Sequence, residues 1–161
     1  MQIKIKNNFL DKTDFDFLKI KFLSNSFPYY YNDSKVDEND GGSQFTHIFY
    51  KEGVINSDYF DLLQPILDKL NIKTLDRIKL NMTTKENKIE QYIFHTDTNV
   101  KCSTAIFYFN TNNGKTIFES GEEVDSVENT LVIFPSDMKH TGTTHTNTKY
   151  RLVLNLNYFT R

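Results

Sequence analysis

The stretch YRLVLNLNYF at residues 150–159 carries the pattern on which the fold prediction depends. Its side chains alternate between two faces, as they do in a β-strand. The apolar face carries Leu152, Leu154, Leu156 and Tyr158, and the other face carries Arg151, Val153, Asn155 and Asn157. An ordinary two-layer sheet would turn this polar face to water. The alternative is a polar pocket in which Arg151 binds an anion, because a guanidinium presents a rigid fork to a carboxylate.

A second stretch, YIFHTD at residues 92–97, has the same period and is predicted to be a strand. His95 and Asp97 are two residues apart and would therefore point to one face. A further strand, residues 131–134, leads through a proline to His140, with His145 five residues beyond it. Two histidines and one carboxylate form the facial triad that holds Fe(II) and leaves positions open for other ligands. Either His140 or His145 completes such a triad.

These features together resemble the iron(II)/2-oxoglutarate-dependent dioxygenases, and within them the prolyl 4-hydroxylase-like branch. The resemblance rests on the ordered set His95-x-Asp97, His140 and Arg151, and on the stretches KCSTAIFYFN at 101–110, NGKTIF at 113–118 and NTLVIF at 129–134. It is tight from about residue 77 to residue 159. Residues 27–30 and 45–50 resemble small versions encoded by phages, so a phage origin is also expected.

The resemblance implies cofactors and roles for individual residues. Fe(II) would be bound by His95, Asp97 and His140, because the family's spacing to the basic residue selects His140 over His145. Arg151 and the Tyr108 hydroxyl would bind the distal carboxylate of 2-oxoglutarate. O₂ would be the oxidant, with ascorbate as reductant in vitro, and the products would be succinate, CO₂ and a hydroxylated C–H bond.

The remaining predicted site residues rest on strand faces and on position. Residues 75–82 read as a strand whose apolar face meets helices, which would turn Asn81 towards the pocket. By resemblance, Tyr92 and Lys101 lie near the substrate entrance, although a solvated surface lysine is an equally good interpretation of Lys101. Asn157 lies on the polar face of the last strand and is a further substrate-contact candidate.

The predicted fold class is mainly β with supporting helices. The dense succession of short strands and turns after residue 75 indicates a double-stranded β-helix, or jelly-roll, over residues 75–161. Residues 1–74 would support it with two helices packed on the major sheet. The first helix would start with Thr13 as N-cap, and the second would be capped by Ser57 and kinked or split at Pro65. Residues 32–43 would form either a lid or a solvated connection.

Length and composition limit the function classes. The 161 residues fit a single domain spanning residues 1–161, and the net charge of −2 comes without a basic stripe, so no nucleic-acid partner is expected. No apolar run has the length of a membrane span. The single Cys102 fits a reducing cytoplasm, which would be the host's if the chain is phage-encoded.

Several functions remain open from the sequence. The first is a dioxygenase acting on a prolyl or other residue of a protein or peptide, and within the same chemistry the substrate could be a free small molecule. A second is a non-catalytic jelly-roll that serves as a binding or structural module. A third is a cupin-like metal protein that does not use 2-oxoglutarate.

Overall fold

A computed structural model describes residues 2–36 and 42–161. Its helices are α1 (Lys12–Phe22) and α2 (Gln64–Lys69), the latter preceded by a 3-10 turn at Phe60–Leu63. Its strands are β1 (Lys4–Lys6), β2 (Tyr30–Asn32), β3 (Gln44–Lys51), β4 (Val54–Ile55), β5 (Ile72–Thr84), β6 (Ser103–Tyr108), β7 (Lys115–Phe118), β8 (Glu123–Asp125), β9 (Thr130–Pro135), β10 (His140–Gly142) and β11 (Tyr150–Thr160).

The strands form two antiparallel sheets. The major sheet has the order β1-β9-β6-β11-β5-β3-β2, with β4 paired to β3, and the minor sheet has the order β10-β7-β8. Strand β11 is central and pairs with β5 on one side and β6 on the other. The mainly β architecture predicted from the sequence is therefore confirmed, and the arrangement of sheets is consistent with a jelly-roll.

The outer face of the major sheet is covered by the two helices. Its apolar cluster contains the predicted apolar face of β11 together with buried residues of both helical segments, among them Phe15, Leu18, Phe22, Leu63 and Ile66. Phe22 packs its ring against those of Phe27, Phe49 and Phe109 at centroid distances of 5.1–5.7 Å. This cluster is what holds the helices against the sheet.

Each helical segment departs in detail from its predicted boundaries. The N-cap of α1 is Asp11, whose side chain accepts a hydrogen bond from Asp14 N at 3.0 Å. The prediction of Thr13 as N-cap is wrong, because the carboxylate two residues earlier takes that role. The second segment divides just before Pro65, which lies in the first turn of α2, where its missing N–H leaves no hydrogen bond unmade.

A smaller apolar cluster lies between the two sheets. It joins Ile106, Tyr108 and Val153 of the major sheet to Phe118 and Val124 of the minor sheet. The polar face of β11 turns towards this space, as the pocket interpretation of the sequence requires. A cavity thus opens between the sheets, next to the apolar cluster.

The segment 32–43, predicted to be a lid or a connection, lies partly outside the described residues, at positions 37–41. In its described part, the carbonyl oxygens of Ser34 and Lys35 accept hydrogen bonds at 3.3 and 3.1 Å from Nε2 of Gln44, the first residue of β3. Within the described residues, no helix combines the length and the apolar character needed to cross a membrane.

We expect Phe22→Ala to lower the free energy of unfolding by about 3–5 kcal/mol, because it removes a buried ring from the contact between helix and sheet. Phe17→Ala is the matched control, since Phe17 lies on the exposed face of the same helix with 45% of its surface accessible. We expect it to change the free energy by less than about 0.5 kcal/mol. Urea denaturation measures both values, and equal losses would contradict this packing arrangement.

Candidate metal centre and its cavity

The segment from Tyr92 to Asp97 is irregular and does not form the predicted strand. It is attached to the minor sheet by two isolated bridges, Gln91 to Thr143 and His95 to His140. In the second bridge, His95 N donates to His140 O at 2.9 Å and His140 N donates to His95 O at 3.0 Å. The backbone therefore places the two histidines side by side.

The side chains of His95, Asp97 and His140 converge at one point. Their ligand atoms all lie within 4.8 Å of one another. Asp97 Oδ1 is 3.8 Å from His95 Nε2, Asp97 Oδ2 is 3.6 Å from His140 Nε2, and the two imidazole centroids are 4.9 Å apart. These separations are too long for good hydrogen bonds and leave room for a cation between the three groups.

Hydrogen bonds on the far side of each ring favour metal-binding tautomers. The Nδ1 atoms of His95 and His140 each lie 3.2 Å from a backbone carbonyl, that of Ile93 and that of Met138. A carbonyl oxygen only accepts, so we assign the proton to Nδ1, which leaves the lone pair of Nε2 directed at Asp97. Burial and the neighbouring His140 also lower the pKa of His95, against the opposite effect of Asp97. A neutral imidazole with a free Nε2 lone pair is the form that binds a metal.

Asp97 is held ionised by its surroundings. Burial by itself raises the pKa of this carboxyl, but His140, Arg77 and His95 together outweigh it and hold the pKa below its usual value. Arg77 reaches Asp97 Oδ1 at 3.2 Å, and Asn155 Nδ2 lies 3.5 Å from Oδ2. The carboxylate is therefore oriented from the β5 and β11 side while its other side faces the two histidines.

His145 is not part of this cluster. It is buried with no accessible surface, and among the described residues the group that could hold a metal contains His140 instead. Burial lowers the pKa of His145, and the charge of Arg151 acts in the same direction. His47, on β3, is also elsewhere: its ring nitrogens lie 2.8 Å from Pro28 O and 2.7 Å from Ser57 Oγ, among the aromatic side chains under the helices.

The cavity next to the histidines also contains Arg151. Its Nε donates to Ser126 Oγ at 3.0 Å, and its guanidinium carbon lies 5.7 Å from the centroid of the Tyr108 ring. Within residues 2–36 and 42–161 no carboxylate forms an ion pair with it. Burial lowers the pKa of Arg151, but a guanidinium remains charged in proteins. The cavity therefore contains a fixed cation that is available to an anion.

One glycine makes room for Arg151. A Cβ on Gly114 would lie 2.9 Å from Asn112 Oδ1 and 3.1 Å from Arg151 Cδ and Nε, so a larger residue requires these side chains to move. A Cβ on Gly142, which lines the cavity, would make ordinary contacts at 3.8 Å with an Arg151 terminal nitrogen and at 3.9 Å with Tyr92. Gly114 of the NGK stretch at residues 113–115 therefore allows the close approach of Arg151.

Tyr108 lies behind Arg151. Its hydroxyl is 2.7 Å from Thr116 Oγ1, and the ring is fully buried. Burial raises the pKa of Tyr108, so the hydroxyl keeps its proton. The hydroxyl is satisfied by Thr116, which lines the cavity while Tyr108 does not. Thr116 was not singled out from the sequence, because nothing local marks it as different from other strand threonines.

The other candidate residues divide into two groups. Asn81 and Tyr92 line the cavity, and Asn81 Oδ1 is a buried acceptor without a hydrogen bond among the described residues. Lys101 and Asn157 do not line it. Lys101 is exposed at a separate cleft beside Cys102 and Pro135, which fits the interpretation as a surface lysine. Asn157 is fully buried and donates to Thr104 Oγ1 at 2.9 Å. Its side chain is therefore not placed to contact a substrate in the cavity, as the sequence had suggested.

Arg77 and Lys79 of β5 are additional members of the site. Residues 77, 79 and 81 share one face of a strand, so the argument that turns Asn81 towards the cavity applies to both cations. Their proximity to Asp97 could not be found from the sequence, because it depends on the register of β5 with β11, in which Lys79 lies opposite Asn155 and Arg77 opposite Asn157.

The residues present fit Fe(II). Two imidazole nitrogens with free lone pairs and one ionised carboxylate are a donor set typical of non-haem iron centres, and the adjoining cavity leaves space for further ligands. The same cavity also fits an anionic ligand, because Arg151 has no carboxylate partner within the described part of the chain.

We expect His140→Ala to weaken metal binding by more than about 100-fold, since loss of a ligand exceeds the effect of losing an outer hydrogen bond. His145→Ala should leave the affinity within about threefold, because His145 is not in the cluster. Anaerobic calorimetry with Fe(II) or Co(II) measures the affinities, and circular dichroism checks that both variants fold. Weakened binding in His145→Ala with intact binding in His140→Ala would contradict the assignment.

No protein-family model and no curated protein sequence matches the chain, but its structure resembles solved structures over nearly its whole length. An oxidoreductase of the 2OG-Fe(II) oxygenase family from Burkholderia pseudomallei has a TM-score of 0.73 at 11% identity, covering 98% of this chain and 84% of that chain. A prolyl hydroxylase from Trichoplax adhaerens, solved with a peptide of hypoxia inducible factor, has a TM-score of 0.69 at 15% identity, covering 98% and 83%.

A third similar structure is the non-heme alpha-ketoglutarate-dependent epimerase of nogalamycin biosynthesis, with a TM-score of 0.69 at 12% identity, covering 98% of this chain and 77% of that chain. At these identities the likeness concerns the fold. The chain thus has the fold of 2OG-Fe(II) oxygenases and prolyl hydroxylases, as the resemblance in its sequence implies.

Proposed function

We propose that this protein is an Fe(II)- and 2-oxoglutarate-dependent dioxygenase that hydroxylates a C–H bond, with a prolyl or other residue of a protein or peptide as the expected substrate. One observation carries the proposal. The cluster of His95, Asp97 and His140 opens into the same cavity as Arg151, a cation without an acidic partner in the described chain. A metal site and an anion site in one cavity match a cosubstrate that has both a chelating and a charged end.

In this proposal the three metal ligands, Arg151 and the residues that hold them have defined tasks. His95, Asp97 and His140 hold the iron, while Arg77 and Asn155 orient the carboxylate of Asp97. Arg151 binds the distal carboxylate of 2-oxoglutarate, and its position is fixed by Ser126 and by the close contact with Gly114. Thr116 supplies a hydroxyl group to this end of the cavity, and the Tyr108 hydroxyl lies behind it at 2.7 Å.

When bound, Fe(II) and 2-oxoglutarate supply the oxidation of a C–H bond by O₂, with decarboxylation of the cosubstrate to succinate and CO₂. The chain provides binding, orientation and exclusion of water. Ile106 and Val153 line the cavity between the polar groups and keep that part of the wall apolar. Asn81 provides a free acceptor, and Tyr92 forms part of the wall opposite Gly142.

Two other functions remain alternatives to this proposal. In a non-catalytic binding module, neither metal nor 2-oxoglutarate would be turned over. The convergence of two imidazoles with free Nε2 lone pairs and one carboxylate favours the enzyme, since a purely structural module has no need for that arrangement. In a cupin-like metal protein, Arg151 would have no cosubstrate to bind. The prolyl specificity and the phage origin are proposals that rest on resemblance, and the cytoplasmic location is a proposal that rests on the single Cys102.

The decisive test is succinate formation from 2-oxoglutarate by purified protein with Fe(II), O₂ and ascorbate. We expect slow turnover in the wild type and in His145→Ala, and a loss of at least about 100-fold in His140→Ala. Arg151→Ala should raise the half-saturating concentration of 2-oxoglutarate by about 10- to 100-fold, because one charge-assisted contact is lost, and high cosubstrate should restore turnover.

Two outcomes would contradict the proposal. If Arg151→Ala had no effect on 2-oxoglutarate while metal binding was intact, the cupin-like function would be favoured. If 2-oxoglutarate also failed to bind the iron-loaded wild type, as followed by its absorption under anaerobic conditions, the binding-module function would be favoured.

We expect Tyr108→Phe to weaken 2-oxoglutarate binding by about tenfold, because the resemblance assigns this hydroxyl, which here is bonded to Thr116, to the distal carboxylate. Tyr31→Phe is the matched control, since the Tyr31 side chain is 64% exposed on β2. The anaerobic absorption titration measures both. An unchanged affinity in Tyr108→Phe would mean that its hydroxyl serves only Thr116 and the packing of the cavity wall.

A further inference from the structure

A second cation of the cavity, Lys79, has no role in the function proposed above. It lies in the middle of β5, opposite Asn155 of β11 on one side and opposite Ile48 of β3 on the other. Its side chain is partly buried and lines the same cavity as His95 and Asp97. Lys79 is thus at the metal end of the cavity.

The ammonium group of Lys79 has no partner within residues 2–36 and 42–161. Among the described residues its Nζ forms neither a hydrogen bond nor an ion pair. Asp97 is the acid that raises the pKa of Lys79, but it is already paired with Arg77 at 3.2 Å. Burial and the like charge of Arg77 lower the pKa of Lys79, and Asp97 only partly opposes them. A partly buried ammonium without a counter-ion is unfavourable by itself, and an anionic ligand removes that penalty.

The charges around the cavity are unequal. Within the described residues the lining contains Lys79 and Arg151, neither with an acidic partner, and one carboxylate, Asp97, which is already paired with Arg77. In the proposed function Fe(II) adds two positive charges and 2-oxoglutarate adds two negative ones, so these two ligands cancel. Arg151 serves the cosubstrate, and Lys79 is the cation left for another anion.

Lys79 and Arg151 serve different positions along the cavity. Arg151 and Asn155 are four residues apart on β11, which corresponds to about 13 Å of strand. Lys79 lies at the level of Asn155, whereas Arg151 lies opposite Thr83. The distal carboxylate at Arg151 therefore leaves Lys79 at the other end, beside the metal ligands, where the bond to be oxidised must also lie.

We propose that Lys79 binds a carboxylate of the substrate, and that the substrate is accordingly an acid with its reactive C–H bond a short distance from that group. This inference rests on the proposed function. A lysine suits the task because its ammonium group has three hydrogen-bond donors on a flexible stem and can bind an anion from several directions. Two sources provide the same chemistry: the α-carboxylate of a free amino acid, or an acidic side chain next to the reactive residue of a peptide.

Two matched pairs of probes separate these sources. L-Proline is compared with L-prolinamide, and a capped peptide containing Glu-Pro is compared with its Gln-Pro counterpart. Each is added to the protein loaded with Fe(II) and 2-oxoglutarate. Binding is followed anaerobically as a change in the absorption of that complex, and turnover is followed as succinate formed together with a product heavier by one oxygen atom.

In the wild type, at least one carboxylate probe should bind about tenfold or more tightly than its amide partner. Lys79→Met should abolish this difference and leave the affinity for 2-oxoglutarate within about threefold. Lys79→Arg should keep a preference for the carboxylate, since it keeps the charge. Lys73→Met is the control, because Lys73 is an exposed residue of the same strand. The pair that responds identifies the source of the carboxylate.

Three results would overturn the inference. Carboxylates and amides could bind alike in the wild type, Lys79→Met could respond as the wild type does, or Lys79→Met could weaken 2-oxoglutarate itself by tenfold or more. The last result would assign Lys79 to the cosubstrate. Failure of the proposed function is a separate observation, because then the wild type would not bind 2-oxoglutarate before any probe is added.

Discussion

Two backbone hydrogen bonds between His95 and His140 are the constraint on which the site depends. They join an irregular segment to the short strand β10, at 2.9 and 3.0 Å, and bring together residues 45 positions apart in the chain. Because the bonds are between main-chain atoms, they set the separation of the two imidazoles without help from either side chain. Asp97 then needs only the two-residue offset along the extended segment to complete the cluster.

The polar cavity depends in turn on the helices behind the major sheet. An apolar layer on the outer face, which includes Leu152, Leu154 and Leu156, leaves the inner face of β11 free to carry Arg151 and Asn155. A sheet with one polar face usually turns that face to water. Here the minor sheet covers it through Phe118 and Val124, so the polar groups lie in a partly enclosed space where charges interact strongly.

The electrostatics of this space follow from β5 and β11 lying side by side. Each strand contributes cations to the inner face, and Asp97, the acid that lines the cavity within the described residues, is shared among Arg77 and two histidines. Arg151 and Lys79 have no acidic partner in that part of the chain. The metal cluster and these two cations therefore form a charge distribution that suits acidic ligands better than neutral ones.

Local patterns by themselves determined much of this protein. The alternation in residues 150–159 assigned Leu152, Leu154 and Leu156 to the core and Arg151, Val153 and Asn155 to the cavity, because the pleat of a strand is a local property. The His95-x-Asp97 spacing placed an imidazole and a carboxylate on one side of an extended segment, and Pro65 marked the division of the second helix. The tertiary structure paired His140, and not His145, with His95, a choice that the strand pattern left open and the resemblance favoured. It also removed Lys101 and Asn157 from the cavity and brought Arg77 and Lys79 into the site. Those outcomes depend on strand register and sheet pairing between distant segments, which the identity of neighbouring residues does not encode.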